Sequence, residues 1–247
     1  MVVKDFLLMR RDLRNLSQLI TPLILGVVYA LSLLRTGGVA PEGQGNAPGW
    51  FMDVLQTGFN YGDVAISLFV GWILVMRLAG MGFSQEGKSY WMLKAAPLNA
   101  GQLLTAKFLV AWLPSVLVGW LFVIVMTILQ PVKLASLPFS LLVVAFCFAG
   151  MAGINLAFGV IGARFDWVDP RKMQSGSAGC LGSLISTAYL PISATFFIGP
   201  VILASVFGFP VFAGQLAGIL LGGGLCVACV VIPLNMVKAK VARLNEA

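Results

Sequence analysis

The sequence predicts an all-α fold: a polytopic membrane bundle of six transmembrane helices preceded by an amphipathic helix in the membrane interface. Three observations carry that prediction. Hydrophobic residues make up 59% of the chain and charged residues only 10%, with a mean hydropathy of +0.96. A soluble domain carries about 25% charged residues, so this chain has too few polar groups to cover a water-facing surface. Its apolar residues fall in uncharged runs of span length, about 20 residues each. The cations sit in short clusters between those runs, which sets aside the nucleic-acid reading that a net charge of +7 would otherwise invite.

The elements follow in order. Val2, Phe6, Met9, Leu13 and Leu16 recur at helical spacing and form one apolar stripe, with Lys4, Arg11 and Arg14 off it. Residues 1–16 therefore read as an amphipathic helix lying in the interface, anchored by Arg10, Arg11 and Arg14, or else as a cytosolic extension of the first span. The first span is expected at 17–34, between Arg14 and Arg35, with Pro22 near its start where a missing N–H costs little. It follows a basic segment and is long enough to cross, so an uncleaved first helix is expected rather than a secretory signal. A connection rich in Gly, Pro and Asn carries Glu42 and Asp53 but no cation after Arg35.

The second span is expected at 63–83 and includes Arg77. A central arginine costs about 2.5–3.5 kcal/mol on insertion scales, so Arg77 either snorkels to the surface or makes a polar contact in the bundle. A polar connection, 84–107, follows. Within it 86–96 can form a short helix that Pro97 ends, and Asn99 with Gln102 three residues on suits a helix start. The third span is expected at 108–129 and the fourth at 139–162, the latter with a row of small residues, Gly150, Gly153 and Ala157, suited to close packing. Residues 173–237 carry no charge over 65 positions, room for spans at 184–207 and 211–237 with the turn at Gly208, Phe209 and Pro210. Pro191 and Pro200 are expected to kink the fifth span, and Gly222, Gly223 and Gly224 to thin the sixth. A re-entrant segment is the alternative for this run. Residues 238–247 form a tail.

Orientation follows from the cations. With the first connection outside, the inner segments hold Lys4, Arg10, Arg11, Arg14, Arg77, Lys88, Lys94, Lys107, Arg164, Arg171, Lys172, Lys238, Lys240 and Arg243, against Arg35 and Lys133 outside. By the positive-inside rule both termini are cytoplasmic, and the expected location is the plasma (inner) membrane.

Several chemistries are set aside. The chain has no histidine, which removes histidine-ligated cofactors, the usual zinc triads and Ser–His–Asp catalysis. Cys226-x-x-Cys229 resembles half a metal site, but it lies mid-span without a second ligand pair and reads as buried core, and the four cysteines imply no disulfide framework. Asp166, Asp169 and Arg171 read as solvated ion pairing in an inner loop. No phosphate-binding loop, cofactor site or metal site is expected, and no catalytic set that would make the chain an enzyme.

The most informative stretch is 84–107. It combines an acidic start at Glu86, exposed aromatics at Tyr90 and Trp91, and the stop at Pro97. It reads either as a helix resting on lipid headgroups or as one whose Trp91 and Leu93 dock into a groove on a soluble partner. Glu86-Gly87, Leu93, Ala96-Pro97, Leu103-Leu104 and Lys107 at the approach to a span resemble the inner loop of ABC-transporter permeases of the type-2 exporter class. Residues 162–182, with Arg164, Phe165, Asp166, Trp167, Asp169, Pro170, Arg171 and Lys172, look like the loop between the fourth and fifth spans of the carboxyl-terminal half of two-part members. The resemblance implies that Glu86, Gly87, Tyr90, Trp91, Leu93 and Pro97 belong to a coupling helix that contacts a separate ATPase. It also implies that this half pairs with a second permease half, whether a second copy or a paralogue. The alternative is a structural or accessory subunit of a larger membrane complex, held by helix packing and lipid alone.

Overall fold

The computed structural model describes residues 61–89, 99–129, 136–165 and 176–243, together with positions 20, 24, 26–28, 31, 51, 54, 57 and 58. The expected interfacial helix at 1–16 and most of the first span lie outside these residues. The described positions of that span, Ile20, Ile24, Gly26, Val27, Val28 and Leu31, are helical.

Five long helices account for most of the described chain: α1 (Gly62–Gly80), α2 (Ala100–Leu129), α3 (Leu137–Ile161), α4 (Gly176–Val206) and α5 (Val211–Arg243). A 3₁₀ segment, Ser84–Ser89, follows α1. No strand occurs among the described residues. All five helices are long and apolar enough to cross a membrane. At 1.5 Å per residue α1 is about 29 Å long, matched to the hydrocarbon core of about 30 Å. The 33 residues of α5 reach about 50 Å, so that helix must project beyond it. The protein is thus a polytopic helical membrane bundle.

Helix starts and stops have local causes. The Asn99 backbone N–H donates to Gln102 Oε1 (3.2 Å) and the Asn99 carbonyl accepts from Leu103 N–H (3.1 Å), which starts α2 at Ala100. Pro138 stands in the first turn of α3, where its missing N–H is no loss. α4 ends where Gly208 takes φ +71, a left-handed conformation that glycine adopts without strain. The 65-residue uncharged run is therefore two long helices joined by a tight turn, and α4 continues through both Pro191 and Pro200.

α3 is the centre of the bundle and packs against each of the other four helices. Its apolar stretch is 67% buried, against 22% for α5. Small residues set the spacing. A β-carbon built on Gly159 would stand 2.7 Å from the Gly80 carbonyl oxygen, and one on Gly153 would stand 2.8 Å from Val230 Cα. Gly214, Gly218 and Gly222 of α5 admit Pro200, Val201, Ala204 and Phe197 of α4. Polar groups inside the bundle are tied across helices. Ser67 Oγ donates to the Gly119 carbonyl (2.9 Å), Trp112 and Trp120 indoles to the Ala145 and Leu141 carbonyls (3.0 and 2.9 Å), and Asn155 Nδ2 to Ser186 Oγ (2.7 Å). The outside is apolar: Leu117, Leu184, Leu220 and Met236 are all exposed, as lipid-facing side chains are.

Candidate functional site at the basic end of the bundle

Antiparallel packing brings the end of α1, the start of α2, the end of α3 and the end of α5 to one end of the bundle. Arg77, Lys107, Arg164, Lys238 and Lys240 are all there. Tyr61, Asp63 and Gln215 lie at the other, where Gln215 Nε2 donates to Tyr61 Oη (3.3 Å).

The basic end is built from α1 outward. The helix closes on the Met81 N–H, which donates to the Arg77 carbonyl (3.2 Å). The chain then turns, and Gln85 and Glu86 N–H groups donate to the Met81 and Phe83 carbonyls (2.9 and 3.2 Å). Phe83 is fully buried and anchors the turn in the core. Ser84 is also fully buried, and its Oγ accepts the Arg164 backbone N–H at 3.4 Å. Two segments 80 positions apart, both singled out by sequence, are thereby joined.

Glu86 points inward. Its Oε1 pairs with Lys107 Nζ at 2.5 Å, and the two side chains are only 10% and 6% exposed. Lys107 sits two turns into α2, so the pair bridges the turn after α1 to the second helix. Gly87 has φ 50 and ψ −135, a backbone state open only to glycine, and it breaks the 3₁₀ segment immediately after Glu86. The expected short helix beginning at Glu86 is therefore, in its described part, a kinked 3₁₀ turn.

The end of α5 completes the cluster. Val237 and Val241 are buried in the same core as Phe83. Lys240 Nζ donates to the Ile161 carbonyl (3.1 Å), capping the last turn of α3 with a cation where the helix dipole favours one. Lys238 lies over Gly101, its Cε 3.5 Å from where a β-carbon would stand. Arg77 is exposed, consistent with snorkelling rather than a bundle contact.

Of the residues singled out by sequence, the described structure contains Glu86 and Gly87. Tyr90, Trp91, Leu93 and Pro97, and the anchor residues Arg10, Arg11 and Arg14, lie outside the described residues. Sequence reasoning did not find Ser84 or Lys240, whose roles depend on which helix ends meet. It placed Lys107 only as the end of the loop, although a lone cation at the mouth of an apolar helix signals a buried partner.

One expectation needs correction at the level of the letters. Residues Gly82, Gly87, Lys88 and Ser89 do spell the Gly-x-x-x-x-Gly-Lys-Ser pattern of a phosphate-binding loop. The pattern acts when a strand precedes it, a helix follows directly, and free backbone N–H groups converge on the phosphates. Here a membrane-length helix precedes it. Gln85 and Glu86 N–H groups are consumed in the turn, Phe83 fills the core, and a carboxylate occupies the fourth variable position. As far as it is described, the match lacks the preceding strand and the free N–H groups of a phosphate loop. Among the described residues no group of three Cys, Asp or Glu side chains is placed to hold a metal ion.

Comparison with curated proteins and with solved structures gives no match. A family model described as "Putative ATP-binding cassette" matches residues 1–246. With that match spanning nearly the whole chain and five membrane-length helices within it, the protein belongs to this ATP-binding-cassette family as a membrane transport component.

Proposed function

We propose that this chain is the permease half of an ATP-driven exporter of the type-2 class, driven by a separate ATPase through the inner loop 84–107. The basic end is the cytoplasmic face of a plasma or inner membrane, and both termini lie on that side. The chain is not itself an enzyme. It pairs with a second half, a copy or a paralogue, and the pathway runs between the halves.

The anchoring of the loop at both of its ends carries this reading. At one end Phe83 and Ser84 tie it to the core and to the segment after α3. At the other Lys107 ties it to α2, and Glu86 joins the two ends directly. A push delivered to 90–97 would then reach α1, α2 and α3 through packed side chains and an ion pair, the kind of contiguous coupling that switches a bundle between two arrangements. Trp91 and Leu93 would be the docking side chains, and Tyr90 and Pro97 would shape the segment that presents them.

The test is purification from native membranes. The reading expects an ATPase to co-purify and its hydrolysis to depend on this chain, and replacing Trp91 and Glu86 together to uncouple the two. A stoichiometric complex without an ATPase would make the chain a structural subunit instead.

A further inference from the structure

We propose that Cys147 and Cys226 are a peroxide-sensitive thiol pair that closes as a disulfide across the α3–α5 seam, locking those two helices together. The two helices run parallel, and two contacts set their register: Ile161 with Lys240, and Gly153 with Val230. Those offsets are 79 and 77 positions and Cys226 follows Cys147 by 79, so the cysteines stand at the same level of the seam, with both sulfurs bonded to hydroxyls one turn apart on α4. Gly153 brings the backbones together there, with a β-carbon at that position only 2.8 Å from Val230 Cα. A disulfide needs Cα atoms about 4.4–6.8 Å apart, closer than ordinary helix packing of about 8–10 Å between axes, and a glycine-lined seam is where that approach is available.

Both thiols are fully buried in one core cluster. Hydroxyls from α4 flank them. Tyr189 Oη donates to Cys226 Sγ (3.0 Å), and Cys147 Sγ donates to Ser193 Oγ (3.6 Å), which in turn donates to the Leu190 carbonyl (2.9 Å). Tyr189 reaches the seam because position 150 is glycine: a β-carbon there would stand against its hydroxyl. The Tyr189 hydroxyl on Cys226 and the Ser193 hydroxyl on Cys147 hold the two sulfurs in place. Hydrogen peroxide is small and uncharged, which suits a site closed to larger reagents.

The chemistry balances with peroxide as the two-electron oxidant. The Cys226 thiol gives up its proton and its sulfur attacks a peroxide oxygen. The O–O bond breaks, leaving a sulfenic acid, and the departing hydroxide takes the proton as water. Cys147 sulfur then displaces the sulfenic oxygen, which leaves as a second water with the Cys147 proton. Thiol exchange with a reductant reverses the bond. The proposal concerns these helices alone and does not rest on the permease reading.

The experiment uses the full chain in detergent with Cys180→Ser and Cys229→Ser, so that only the pair remains. After treatment with hydrogen peroxide and denaturation, both thiols should resist alkylation and return on reduction. A peptide carrying Cys147 should be linked to one carrying Cys226. In the further variant Cys147→Ala, oxidation should stop at a dimedone-reactive Cys226. In the unsubstituted chain alkylatable thiols should fall from four by at least two, with the same linked peptides. The proposal is overturned if both thiols stay alkylatable, or if they oxidise without a 147–226 link; the cysteines then act only as small apolar side chains.

Discussion

The pairing of Glu86 with Lys107 is the contact on which loop anchoring depends most, and its loss can be measured. Removing one member of a buried pair costs about 3–5 kcal/mol when the other charge is left in a dry interior. With 10% and 6% of the side chains exposed, and the pair at a bundle end rather than its middle, the lower part of that range applies. Lys107→Met should therefore cost about 3 kcal/mol. In a chain of this size 1 kcal/mol moves a melting midpoint by about 2–4 °C, so the expected drop is about 6–12 °C. Glu86→Gln keeps a hydrogen-bond acceptor and should cost less. The double variant should be little worse than Lys107→Met alone, leaving a coupling of about 1–3 kcal/mol in the cycle. Thermal unfolding in one detergent, followed by tryptophan fluorescence, gives all four midpoints. Additive effects, or a Lys107→Met midpoint within about 1 °C of the parent, would refute the idea that this pair holds the loop to α2.

Three further outcomes follow from the packing. Gly159→Ala places a methyl group 2.7 Å from a backbone oxygen that cannot rotate away, so it should destabilise by about 1–3 kcal/mol, read as a lower midpoint. Gly87→Ala forces a side chain into a backbone state that only glycine holds easily, at about 1–3 kcal/mol, and limited proteolysis should cut residues 84–107 faster while α4 and α5 stay intact. Asn155→Leu removes the bond to Ser186 inside the bundle and should cost only about 0.6–1.7 kcal/mol, the range for such contacts in lipid, visible as a midpoint shift of a few degrees.

What could be read in advance follows from the solvent. Lipid demands long apolar helices with their backbone bonds made internally, so uncharged runs bounded by cations mark them directly. The Asn99 and Gln102 spacing announced a helix start because it is a contact across three residues. The small residues Gly150, Gly153 and Gly222 announced close approach, since only packing explains them in lipid. Helix ends were less legible. α2 begins at Ala100, α4 is already helical at Gly176 and α5 is still helical at Arg243, each outside the expected span, because a helix does not stop where the hydrocarbon does. The site was legible as a loop but not as an assembly. Ser84 binding Arg164, and Lys240 capping α3, join residues 80 and 79 positions apart, and no local pattern encodes which helix ends meet. The phosphate-loop letters at 82–89 show the converse, a local pattern that follows a membrane-length helix and lies largely on a kinked 3₁₀ turn.

That pattern also supplies the most direct test of the central claim that ATP is used by a separate subunit coupled through this loop. The assembly is purified through this chain and photolabelled with an azido analogue of ATP, alongside the same assembly carrying Lys88→Ala. The account predicts that the label falls on a second polypeptide, and that hydrolysis by that polypeptide falls when Glu86 and Trp91 are replaced but labelling persists in Lys88→Ala. Label on this chain itself, lost with Lys88→Ala, would contradict it.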